Sequence, residues 1–143
     1  MMEDYISKIR TIEHEFGNEI PNPISEMEYG NILEWLKENF GFERFDDYYH
    51  FLLQVNGLSF NGLYLYGFQP EHPNIDLIDS NKVWREHSWT KQFLFLGDDE
   101  VSFYVWNTEE ESFQVLDKPG GDVMEEYENL TDMFEAALKV AIP

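Results

Sequence analysis

Three short apolar runs, Phe93–Leu96, Val101–Trp106 and Ser112–Leu116, succeed one another in the second half of the chain with only polar turns between them. Such runs, dense in Phe, Val, Tyr and Trp, suit the strands of a sheet. Asn107–Glu111 has the polarity and length of a hairpin connection, and Lys118, Pro119, Gly120 and Gly121 make a second turn. The region therefore reads as a strand meander, with Val123–Tyr127 as a further edge strand.

The first half has a different period. Tyr5, Ile9, Ile12 and Phe16 recur at helical spacing, and Gly17 marks a stop. Pro21 and Pro23 break the chain next, removing backbone donors and biasing the residues before them towards extended conformations. Ser25 and Glu28 have capping-box spacing ahead of the stripe Ile32, Leu33, Leu36 and Phe40, and Gly41 suits a left-handed C-cap. Asp46 or Asp47 suits the N-cap of a third helix carrying Tyr48, Tyr49, Phe51, Leu52 and Val55. That helix is apolar around so much of its circumference that it must be largely buried, and Asn56-Gly57 suits its stop.

Asn61-Gly62 is a strong turn signal before the strand Leu63–Tyr66, and Gly67, Pro70 and Pro73 mark a loop. Ile75–Trp84 reads as a short helix in preference to an edge segment. Asn129 or Thr131 suits the cap of a last helix in which Leu130, Met133, Phe134, Ala137, Leu138 and Ala141 share a face. Helices first, a sheet next and a helix last predict one α+β domain over residues 1–143. Its central sheet is expected to be mixed or largely antiparallel, packed with the N-terminal helices and the C-terminal helix.

A chain of 143 residues is long enough for a full core, since a domain near this size buries roughly 70% of the surface its unfolded form exposes. With 43% hydrophobic residues it is a folded, soluble domain and not a disordered one, despite a formal charge of −20. That charge repels phosphates and anionic lipid, so direct binding to nucleic acid or membrane is not expected. The excess is uneven: Asp98–Asp132 holds twelve acids and the single cation Lys118. A field of this kind steers a cationic partner. The absence of cysteine excludes disulfides and thiolate chemistry. The N-terminus, MMEDYISKIR, carries acids where a secretory leader needs a basic region, and the cytoplasm is the expected location.

Catalytic patterns are wanting. His14, His50, His72 and His87 stand apart, with no HExxH pair, and Asp98, Asp99 and Glu100 lack the ligand alternation and central glycine of a calcium loop. Lys118–Gly121 lacks the longer run of a phosphate-binding loop, and no serine sits in a GxSxG elbow. Neither an enzyme nor a cofactor is expected. Alternation along the strands sets Tyr104 and Trp106 opposite Phe103 and Val105, on a face that either lies under a helix layer or serves recognition. Aromatic anchors with an acidic rim suit a basic protein. The residues expected to bind such a partner are Asp98, Asp99, Glu100, Glu109, Glu110 and Glu111 for charge, with Tyr104 and Trp106 as anchors.

The run FDDYYHFLLQVNGLSFNGLYLYGF at Phe45–Phe68 resembles the signature of the SUKH superfamily, and of its YrhA-like branch in particular. The match extends to the Phe93–Trp106 strands and to Asp132, Phe134 and Leu138 of the last helix. Two positions depart from it: Phe45-Asp46 replaces a frequent Leu-Pro, and Asp98, Asp99, Glu100 replaces a turn that often holds glycine. The resemblance implies a mixed sheet packed with helices, no catalytic residues, and a role as an immunity protein that neutralises a cognate polymorphic toxin domain, often a nuclease. The alternative it implies is a regulatory adaptor or small-ligand-binding module with no toxin partner.

Overall fold

In the computed structural model, which describes residues 1–143, the capping box at Ser25 is complete. The Glu28 N–H donates to Ser25 Oγ at 3.2 Å and the Ser25 N–H donates to Glu28 Oε1 at 3.0 Å, opening helix α2 (Glu26–Phe40). Gly41 closes it with φ of 74°, the left-handed conformation a residue without Cβ adopts freely. Ser25→Ala should lower stability by about 1 kcal/mol, read as a lower urea midpoint at unchanged slope, and Ser25→Asp should restore most of it.

Helix α1 (Met2–Glu15) precedes α2 and buries Met2, Ile6 and Ile9. Helix α3 (Asp46–Leu52) is shorter than its apolar pattern suggests. Phe45 stands at its N-cap without a side-chain cap, so neither Asp46 nor Asp47 caps it; both lie in the first turn, where the helix dipole favours them. The stop falls at Leu53 and not at Asn56-Gly57, because Asn56 is taken up elsewhere. Its Oδ1 accepts the Phe68 N–H at 2.7 Å and its Nδ2 donates to the Phe68 C=O at 3.0 Å. A side-chain amide thus replaces a neighbouring strand. The clamp needs Gly67, where a Cβ would fall 2.5 Å from the Gly57 nitrogen.

Strands β1 (Leu58–Phe60) and β2 (Leu63–Leu65) form a hairpin about Asn61 and Gly62, with φ of 49° and 80° as a type I′ turn requires. Helix α4 (Leu77–Trp84) follows, capped by the Asp76 carboxylate, so the helical reading of this segment holds. Then come β3 (Phe93–Asp98), β4 (Ser102–Asn107), β5 (Ser112–Asp117), β6 (Val123–Tyr127) and helix α5 (Leu130–Ala141), which Asn129 caps. The six strands lie in sequence order, every pair antiparallel. The sheet is wholly antiparallel; the one parallel contact is an isolated bridge between Gly67 and Asp76.

Register sorts the two faces. Leu94, Trp106, Phe113 and Tyr127 align on one, and Phe95, Val105, Gln114 and Glu126 on the other. The first face meets a chain of ring contacts running from Phe113 through Phe45, Tyr48 and Phe51 to Phe134 of α5, and α1 packs behind α5. The second meets α4, whose Trp84 packs edge-on to Phe103 with centroids 5.0 Å apart. The sheet therefore lies between two helix layers in an α+β domain. No helix is long and apolar enough to cross a membrane.

Candidate functional site

Strand length decides what becomes of the expected partner surface. Asp98, Asp99 and Glu100 lie at the turn into β4 and Glu109, Glu110 and Glu111 at the turn out of it. The strand between them holds its ends roughly 17 Å apart, so the structure gathers these acids into two poles and not one patch.

At the first pole the carboxylates serve the fold. Asp99 Oδ1 accepts the N–H groups of Val101 and Ser102 at 2.9 and 2.8 Å, and its Oδ2 accepts the Tyr104 hydroxyl at 2.6 Å. Tyr104 is buried, and burial first and then Asp99 push its phenol well above the ordinary range. It is a core ring held under the turn and not an exposed anchor, which corrects the expectation for this residue. Asp98 is also buried: Lys118 donates to its Oδ1 at 2.9 Å, and the Tyr66 hydroxyl donates to its Oδ2. The Trp84 Nε1 donates to the Tyr66 oxygen at 3.0 Å. Lys118 stands over the rings of Phe103 and Trp84, 5.3 and 5.6 Å from their centroids. Burial, reinforced by Asp98, keeps Tyr66 protonated, so its hydroxyl donates throughout the neutral range. Asp98 is thus a neutralised internal charge, and of this trio Glu100 alone is fully exposed.

The second pole is different. Glu109, Glu110 and Glu111 are all exposed, and the pairing of Phe113 with Tyr127 brings Glu126 and Glu128 alongside them. Glu111, Glu126 and Glu128 line one shallow depression with Ser112 and Tyr127. The bonds here come from neutral donors: Asn107 and Gln114 donate to Glu110 Oε2 at 2.7 and 3.0 Å, and Gln114 donates to Glu126 Oε1 at 3.3 Å. None of the five carboxylates has a Lys, Arg or His partner, whereas all six ion contacts of the protein lie elsewhere. Half-buried Trp106 precedes this turn and packs on Phe42 and Phe113. Sequence reasoning missed Glu126 and Glu128, which join the pole only through the β5–β6 register.

Elsewhere the four histidines are exposed and apart, and no group of three His, Asp or Glu side chains is placed to hold a metal ion. A polar groove of about 860 Å³ runs past Glu13, Glu19, Glu28 and His72, and a cavity of about 370 Å³ lies between α4 and β2. The chain matches no protein-family model and no curated protein.

Proposed function

We propose that this chain is a non-catalytic immunity protein which binds a cognate basic toxin domain, a nuclease being the leading case, and blocks it. The supporting observation is the pole of five unpaired carboxylates, Glu109, Glu110, Glu111, Glu126 and Glu128; Trp106 ends on the sheet face opposite to Glu126. A nuclease surface shaped to hold phosphates is cationic, and an acidic protein occupies it by presenting a similar field. Charges left uncompensated in the free protein favour association because they need no internal pair to be broken first. Asp98, Asp99 and Tyr104 have structural duties and leave the docking role to the second pole and Glu100.

Affinity capture of the tagged protein from cells that express such a toxin should recover one basic domain in near-equal amount. With that partner in hand, reversing Glu109, Glu110 and Glu111 to Lys should weaken binding by about tenfold or more at low salt, with a shallower dependence on salt. Unchanged affinity and unchanged salt dependence would remove the pole from the interface. Failure to recover a toxin from cells shown to make one would remove the immunity reading itself.

A further inference from the structure

We propose that the cavity between α4 and β2 is a binding site for a small organic cation with an apolar body. The cavity is open to solvent, has a volume of about 370 Å³ and is walled by Trp84, Val83, Tyr64 and Pro73, with Asp79 and Ser80 on its α4 side and Asp98 among its lining residues. Its volume falls in the range of roughly 300–1,000 Å³ that small-ligand sites occupy, and its make-up is theirs too: apolar walls with a few placed polar groups. The walls come from β2, β3, α4 and the loop before α4, parts of the packed body that hold the shape without a partner.

The charge of the ligand follows from what is already paired. Each Asp98 oxygen already accepts a bond, one from Lys118 and one from the Tyr66 hydroxyl, and the Lys118 charge offsets that of the carboxylate. Asp79 differs. Its backbone N–H donates to the cap residue Asp76, its carboxylate has no ion pair, and the residue lines the cavity half-buried. An anion is repelled by it, a neutral ligand without a donor strips water from it without return, and a neutral donor returns a hydrogen bond but no charge. An ammonium group would pair with the Asp79 carboxylate in a cavity that the Trp84 and Tyr64 rings also line, and an apolar body would cover Val83 and Pro73.

Behind the cavity, Tyr66 and Lys118 both bond Asp98, and the three side chains hold that wall in place. Their bonds fix the Trp84 indole through its Nε1, and with it the orientation of one wall.

The test uses phenethylamine and its neutral counterpart 2-phenylethanol, titrated against the whole protein while the Trp84 indole N–H resonance is followed. Phenethylamine should bind saturably and about tenfold more tightly than the alcohol, which corresponds to ~1.4 kcal/mol. Asp79→Asn should remove that preference and leave the affinity for the alcohol unchanged. Val83→Trp, at a position 56% exposed and so tolerant of bulk, should abolish binding of both probes by filling the cavity. Equal affinity for the two probes, no saturable binding, or amine binding that survives Val83→Trp would overturn the assignment. None of these outcomes depends on the acidic pole, so this site and the toxin-binding reading stand or fall separately.

Discussion

Replacing Asp98 with alanine should destabilise the protein by about 3–5 kcal/mol, the range seen when one member of a buried ion pair is removed. The Lys118 side chain is 25% exposed and that of Asp98 10%, so water compensates little of what is lost. Without the carboxylate, the Lys118 ammonium over Phe103 and Trp84 loses its counter-charge, and the Tyr66 hydroxyl loses its acceptor. The informative control is the double variant Asp98→Leu/Lys118→Met, which removes both charges and should recover the part of the loss due to the unpaired ammonium, leaving the loss of about 1–3 kcal/mol from the orphaned Tyr66 hydroxyl. Urea midpoints of the three proteins measure this directly. A loss below about 1 kcal/mol for Asp98→Ala would show the pair to be hydrated in solution, as surface pairs are.

The second large effect is expected at Asn81 on α4, which is 1% exposed. Its Oδ1 accepts the Phe95 N–H and its Nδ2 donates to the Phe95 C=O, both at 2.8 Å, with a further bond from Nδ2 to the Leu77 C=O. The register of β3 against β4 slips between Phe95 and Gly97, and the amide supplies Phe95 with partners beside that irregularity. Asn81→Leu has the right volume but orphans two backbone groups, at about 1–3 kcal/mol each. Faster amide exchange at Phe95, out of proportion to the rest of β3, would distinguish loss of these bonds from a general loss of packing. Asn81→Asp keeps the acceptor alone and should protect the Phe95 N–H better than leucine does.

Features held by neighbours in the chain were legible from the residues. The capping box at Ser25 and Glu28, the Gly41 stop, the Asn61-Gly62 turn and the order of strands after Phe93 each depend on a few consecutive residues. What was hidden depends on distant partners. Helix α3 ends early because Asn56 clamps Phe68, and nothing local says that an asparagine will serve the backbone of a bend twelve residues on. Alternation placed Tyr104 on the correct face, but its burial is decided by what packs over it. The two acidic turns looked like one cluster in the chain because a strand between them counts as six residues, while in space it separates them. Glu126 and Glu128 were invisible for the converse reason, since pairing folds them back beside Glu111.

The uninterrupted strand order also sets a sequence of assembly. Each strand joins its predecessor, and loop-closure entropy grows with the logarithm of the loop, so the β3–β6 hairpins can zip together cheaply and early. Helix α1 has no such neighbour: it packs on α5, from the opposite end of the chain, and must wait until the sheet and α5 exist. With Met2, Ile6 and Ile9 as its buried residues, it should be the last piece to latch and the first to unlatch. On that order the domain should behave as a rigid sheet closed by a detachable clasp, its amides dividing into slowly exchanging strands and a faster first helix.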